Sequence, residues 1–543
     1  MSIKRYIADA DTTITNAFKM DLSTRGSGSN MGAADVVEVF SIYGQAFTGS
    51  SEISRALIKF PIGEISADRT ANNIPSSGSV DFYLKLHNVR HASSVPKNFT
   101  LEVRPLTKTW EEGNGLDMEE YKDETYEEEG SNWMYASSGS TWTIPGGDYN
   151  HAGDSRVFYQ EFIDGTEDIE INISEMVEEW IAGTTSNYGI ILKLSGTYEP
   201  YFSSSAITQD NGDVSGDPNA TSRLHNLTGS KNSYYTKKFF ARSSEFYMKR
   251  PNIEARWDST KKDDRGNFYI SSSLAGEADN VNTLYLYNYV RGELKDIPSI
   301  GESTIYLALH TGTSSGVNSE PPFELPRGGD REGTGTFVTG GWSGDTGIYT
   351  ASFATTSTLG STEYFYDIWY DGTEVAGTWP DVGMDTLFTG SAFSPKKFDE
   401  TNGNIDPSKS YVNTITNLKV KYDPEETARF RVHSRKKDWC PTIYTKATST
   451  TNSEIIENAY YKAFRVVDDF EVISYGTGST TSAAPQATGS AASYTRMSFD
   501  VSGNYFDLDM SLFEPGYAYG VKFVYYHNGS YHEQPETFKF RVE

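Results

Sequence analysis

A single cysteine, Cys440, stands among 543 residues. A lone thiol excludes an internal disulfide and leaves an iron–sulfur or cysteine-rich zinc centre without ligands. Beside Trp439 and Pro441, Cys440 reads as an inert buried thiol. Long apolar runs are missing too: no stretch approaches the ~18 consecutive apolar residues of a membrane-spanning helix. Basic side chains are few, 47 against 74 acidic, which gives a net charge of −27. Phosphate-backbone binding needs clustered Lys and Arg, so nucleic acid is excluded as the main partner. No apolar segment follows Lys4 and Arg5, so no signal peptide is expected and synthesis is placed in a host cytoplasm.

What is abundant points to strands. Tyr (36) and Phe (29) supply burial that disordered chains lack, and apolar residues tend to alternate between Ser, Thr, Gly and Asn. At roughly 100–200 residues per domain, the expectation is three all-β units, tandem β-sandwiches with one short helix, over residues 1–257, 258–398 and 399–543.

In the first unit Ala56, Ile58 and Phe60, then Phe82, Leu84 and Leu86, then Phe99, Leu101 and Val103 keep the period of two of half-buried strands. Ile173, Met176, Val177, Trp180 and Ile181 break it, falling on one face of a helix with Asn172 or Ser174 at its start and Gly183 at its end. Two long loops interrupt the unit, 111–130 and 203–236. The second unit opens with Asp258 to Arg265, which reads as a linker or exposed turn. It continues with strands at Ile305–Leu309 and Phe365–Tyr370 and a hairpin turn at Asp371-Gly372 leading to Val375. In the third, Phe513-Glu-Pro-Gly-Tyr-Ala-Tyr519 lies where an immunoglobulin-like sandwich places its tyrosine corner. Phe538–Val542 reads as the closing strand, and 476–493 is a low-complexity loop.

The chemistry-bearing strings are weak. Residues 111–130 hold ten acids (Glu111, Glu112, Asp117, Glu119, Glu120, Asp123, Glu124, Glu127, Glu128 and Glu129) against Lys122. They lack the ligand register of a calcium loop, as do Asp210, Asp213 and Asp217, so both read as solvated loops. Gly312-Thr-Ser-Ser-Gly316 matches the nucleophile-elbow string, but Pro321 and Pro322 deny it the helix that must follow. Gly26-Ser-Gly-Ser-Asn-Met-Gly32 is no dinucleotide loop, and His532-Glu533 lacks a zincin's second His. No catalytic, cofactor-binding or metal-ligating residue is therefore assigned, and the chain reads as non-enzymatic. Arg429, Arg431, Arg435, Lys436 and Lys437 form the one basic cluster. With Arg429, Arg431 and His433 on one strand face, it is either a polar outer face or a docking patch for an acidic partner. Exposed Trp residues such as Trp133 and Trp142 would be the platforms of a carbohydrate-binding module.

The first unit resembles the DNRLRE-type β-sandwich domain of bacterial and viral surface proteins. The matching residues are Arg55-Ala-Leu-Ile-Lys-Phe60, Thr107 with Trp110-Glu111, Trp142, Ile173 to Gly183, Gly189-Ile-Ile-Leu-Lys-Leu194, Arg242-Ser-Ser-Glu245 and Arg250 to Ala255. The whole chain resembles structural proteins of tailed marine bacteriophages, through Ile14–Phe18, Thr24–Gly32, Glu426–Arg431 and Val501–Met510. These resemblances imply a virion component of the neck, tail, baseplate or decoration, assembled with copies of itself and other virion proteins. A carbohydrate-binding adhesive module contacting host glycans is the alternative. Neither reading calls for a cofactor, nucleic acid or membrane insertion.

Overall fold

The computed structural model describes all residues except 1, 19–24, 27, 44–50, 91–94, 117–129, 150–155, 202–225, 232–233, 270, 272–279, 319–321, 324, 327–333, 356–361, 373–384, 396–410, 438–452, 477–492 and 528. It is an all-β molecule of tandem sandwich units.

Two sheets form the first unit. The smaller runs Ile3–Ile7, Asn252–Arg256, Asp81–Leu86, Ile169–Asn172, antiparallel throughout. The larger runs Tyr234–Phe240, Val36–Tyr43, Ser51–Lys59, Ile190–Leu194, Phe99–Pro105, Phe158–Phe162, with Ala10–Thr15 also paired to Ser51–Lys59. Phe82, Leu84 and Leu86 meet Ala56, Ile58, Phe60, Leu101 and Val103 in the core between them. The period of two predicts half-buried strands, yet Ser51–Lys59 and Ile190–Leu194 are buried on both faces. A second apolar cluster explains the difference: Leu57, Ile191 and Ile53 pack outward against Trp110, Trp133, Trp142 and Tyr149 from the segment that covers this face.

There are two α-helices among the described residues rather than the one expected. Ser174–Ala182 buries Met176, Val177 and Trp180, and Gly183 closes it at φ 71°, the left-handed geometry glycine adopts without strain. Asn172 Oδ1 accepts from Ser174 N at 2.9 Å, satisfying an amide the helix start leaves open. Ile62–Thr70 buries only Ile62 and Ile65, too few to print a helical period. It is held by Arg69, whose guanidinium forms a two-bond pair with Glu178 on the other helix, both bonds 2.6 Å.

The second unit is built on one seven-stranded sheet: Asn282–Tyr287, Ile348–Phe353, Val338–Trp342, Thr304–Thr313, Phe365–Tyr370, Thr386–Thr389, with Gly316–Val317 folded back on Thr304–Thr313. Leu284, Leu307, Phe353, Phe365 and Trp369 pack with Phe268 and Phe393 from the connections. Phe365–Tyr370 pairs with Thr386–Thr389; the hairpin expected from Asp371-Gly372 to Val375 runs into residues 373–384, which lie outside the described set.

The third unit stacks Tyr411–Ile415, Thr427–Lys436, Gly503–Asp509, Ser498–Asp500 on a sheet ordered Lys421–Tyr422, Phe538–Val542, Ala518–His527, Ala459–Arg465, Glu471–Ile473, with Ser530–Glu533 also on Ala518–His527. Phe430 stacks on Phe506 (5.2 Å) and Tyr461 stacks on Phe506 (4.3 Å) between the sheets. Tyr519, fully buried, donates its hydroxyl to Glu514 O at 2.7 Å, the tyrosine-corner bond. Ile3 and Met248 of the first unit complete this core.

Candidate functional site

The junction of the units grows from the connector at 258–267. Rather than a free exposed turn, it is hydrogen-bonded and half-buried, with Asp263, Asp264 and Asn267 inside. Lys262 bridges Phe499 in parallel: Phe499 N donates to Lys261 O (3.0 Å) and Asp263 N to Phe499 O (3.1 Å). The connector thereby adds a strand segment to the third unit. Asp263 then caps the turn Asp264–Gly266 by accepting from Arg265 N.

Arg265 joins the connector to the second unit: it donates to Asp263 and, through two bonds (3.1 and 2.5 Å), to Asp367. Asp367, with no exposure, also accepts from Trp369 Nε1 at 2.7 Å. Asp264 accepts from Thr283 N at 2.7 Å, and Asn267 Nδ2 donates to Glu457. Burial pushes the Asp263 carboxyl up to about 6 against the pull of Arg265. It pushes Asp264 up to about 7, with the Thr283 amide opposing and Glu457 and Asp263 adding to the rise. Beside the connector opens a cleft of about 870 Å³ to which all three units contribute.

A second contact joins the small sheet of the first unit to the third. Arg256 donates to Glu170 (2.6 Å) and Glu254 (3.0 and 2.6 Å), and its guanidinium lies over Tyr83 (4.3 Å) and over Tyr494 of the third unit (4.9 Å). Arg5 bonds Glu254 at 2.6 Å and reaches Val472 O of the third unit. Burial works against the Glu254 charge, but Lys85, Arg5 and Arg256 hold its carboxyl well below the usual carboxylate range.

The outer face of the larger sheet carries a buried ionic cluster. Arg55 meets Glu199 at 3.2 Å and donates to Gly146 O at 2.8 Å, with its guanidinium over Trp133 and Tyr149. Lys193 lies 3.4 Å from Glu199 and 3.6 Å from Glu102, which Arg104 also pairs at 2.8 Å. Burial alone would lower Lys193; Glu199 and Glu102 hold it above its usual range. The sequence signal was Arg55 directly before the apolar run Ala56-Leu57-Ile58, a charge that burial makes tolerable only with partners.

The acidic loop leaves this unit through a neck. Asn30 Nδ2 donates to Glu112 O (2.7 Å) and Ser131 O (2.6 Å), while its Oδ1 accepts from Gly32 N (3.0 Å) and Gly115 N (3.1 Å). Glu112 takes a two-bond contact from Arg242 (3.0 and 2.8 Å), whose backbone N donates to Asp11 at 2.6 Å. Burial pushes Asp11 up to about 7. The remaining acids of the loop, Asp117 to Glu129, lie outside the described residues, as do Asp210, Asp213, Asp217 and Cys440.

Other expected features are placed differently. Trp133 and Trp142 are core residues, 0% and 4% exposed, so neither is a glycan platform. The basic strand is matched by its neighbours: Arg429 pairs Asp507 (2.8 Å), Arg431 pairs Asp500 (2.6 Å) and Lys436 pairs Glu454 (3.4 Å), as expected of a polar outer face. Gly312-Thr-Ser-Ser-Gly316 is a strand–turn–strand hairpin, Gly312 opposite Val317. His532 sits on the exposed strand Ser530–Glu533. Among the described residues no group of three or more His, Cys, Asp or Glu could hold a metal ion, and no helix is long and apolar enough to cross a membrane. No family model matches the chain, and no curated protein matches it.

Proposed function

We propose that this chain is a non-enzymatic structural protein of a tailed bacteriophage particle, a neck, tail, baseplate or decoration component that works through contacts with copies of itself and other virion proteins. The observation that carries this reading is the grip of the units on one another. Charged side chains bridge them, as Arg256 does to Tyr494 and Arg5 to Val472 O, and Ile3 and Met248 complete the third unit's core. A chain whose function is mechanical gains from junctions that do not hinge, whereas units joined by small polar interfaces move relative to one another by default. Exposed apolar residues suited to subunit contacts remain outside, among them Tyr289 (58%), Val420 (76%), Val467 (74%) and Phe388 (45%).

Quantitative mass spectrometry of gradient-purified particles tests the reading. The chain is expected at a fixed copy number per particle, in a multiple set by closed symmetry. Its absence from particles, with the chain abundant in the lysate, overturns the proposal.

A further inference from the structure

The cleft at the junction of the three units has a lining that the structural reading does not use. We infer that it is a binding site for an uncharged oligosaccharide.

Its walls come from different units. The turn after helix Ile62–Thr70 gives Asn72 and Asn73, the end of strand Val338–Trp342 and the residue after it give Trp342 and Ser343, and the third unit gives Tyr505. A volume of about 870 Å³ lies within the roughly 300–1,000 Å³ of small-ligand sites. Three cations line it, Lys261, Arg429 and Arg496, and three carboxylates, Asp258, Asp345 and Asp507. They are paired where they meet: Lys261 with Asp345 at 2.8 Å and Arg429 with Asp507 at 2.8 Å. The balance offers no net field to a phosphate or a polycarboxylate.

Two further features suit a sugar. Two half-buried rings of the second unit, Tyr285 and Trp342, border the cleft. Such rings stack on the apolar C–H faces of a pyranose through the same quadrupole that attracts cations and ring edges. Polar atoms are also left over. Among the described residues Thr260 Oγ1, Trp342 Nε1 and Ser343 Oγ, all from lining residues, are buried without a hydrogen-bond partner. Leaving such a group unpaired costs ~1–3 kcal/mol, so a ligand bearing hydroxyls on both edges of a ring would recover bonds that the protein alone does not make. A site assembled from three units also ties ligand binding to the assembled junction.

The full-length chain is to be probed on an array of neutral di- to tetrasaccharides (gluco-, manno-, galacto- and chito-series) with sulfated and uronic-acid glycans alongside, followed by calorimetry on the neutral sugar retained. Retention of one neutral series is expected, with Trp342→Ala weakening it about tenfold or more. Ser343→Val is expected to weaken it several-fold at an unchanged unfolding temperature, and this variant decides the matter if Trp342→Ala does not fold. No neutral sugar bound at ~1 mM, a range where even weak sites register, retention of anionic glycans only, or wild-type affinity in Ser343→Val would each overturn the site. None of these outcomes bears on whether the chain is present in particles.

Discussion

At the scale of single residues the informative groups are carboxyls buried without full compensation. Asp264 is inside the junction, faced by Glu457, Asp263 and Lys262, and holds its proton up to about 7 mainly because burial disfavours the charge. An unfolded chain releases that proton near the ordinary aspartate value of 3.8. Between those two values the folded state binds the extra proton, so stability falls as pH rises through this window and levels off above it. Asp263, raised to about 6, and Asp11, raised to about 7, act in the same direction. Glu254, Glu170 and Glu102 are lowered; in both states they are ionised above pH 5.5, and they add no slope there. Lys237, lowered to about 8 by burial, changes the balance only at higher pH. The unfolding temperature is therefore expected to fall from pH 5.5 to 7.5, and Asp264→Asn, which keeps the shape and cannot ionise, should flatten part of that slope. Scanning calorimetry across the range checks it, and an unchanged slope in the variant contradicts the assignment.

At the scale of elements the neck of the acidic loop is the part most exposed to a single change. Asn30 makes four bonds there to backbone groups, three to the two sides of the loop and one to its own neighbour Gly32. Backbone is packed so closely that a Cβ on Gly130, at φ 81°, would come 2.4 Å from Gly113 Cα. Truncating Asn30 leaves buried carbonyls and amides unpaired at once, so Asn30→Ala is expected to cost about 3 kcal/mol. It should also speed hydrogen exchange at 112–116 and 130–132, with loss under ~1 kcal/mol contradicting the clasp. Nothing in the string around Asn30 announced this, because a carboxamide's value depends on partners a hundred residues away. Elements whose information is local were legible: the helix Ser174–Ala182 prints its period and its glycine stop, and Tyr519 prints its corner. Ile62–Thr70 prints only two apolar positions and is helical because Arg69 and Glu178 dock it. The period of two identified the strands but misjudged their outer faces, since no local rule shows that the segment with Trp133 and Trp142 folds over Leu57 and Ile191. The same blindness made the connector look exposed: its charges are satisfied by residues far along the chain.

At the scale of the molecule the net charge of −27 is an excess of acids, while many of the basic side chains are held in local pairs. Arg429 and Arg431 are matched by Asp507 and Asp500 on strands of the same sheet, the pairing of a polar outer face. The charges that matter most to architecture are those between units, and Arg256 is the test of them. Its guanidinium satisfies Glu254 and Glu170 while lying over Tyr494 across the boundary. Replacing it by Ala leaves Glu254, with a side chain 2% exposed, to Arg5 and Lys85 alone, and breaking a buried pair from one side costs about 3–5 kcal/mol. Arg256→Lys keeps the charge but not the two-pronged geometry, and is expected to fall between wild type and Ala. Because the boundary itself is weakened, the loss should be visible before global unfolding, as faster proteolytic cleavage within the connector 258–267, which the intact junction pins through backbone and side-chain hydrogen bonds. Tyr494→Phe, which keeps the ring under the guanidinium, should leave cleavage slow. If Arg256→Ala lowers the unfolding temperature while the connector stays resistant until the whole chain unfolds, the contact stabilises the first unit only, and the junction owes its cohesion to Ile3, Met248 and the Lys262–Phe499 bridge instead.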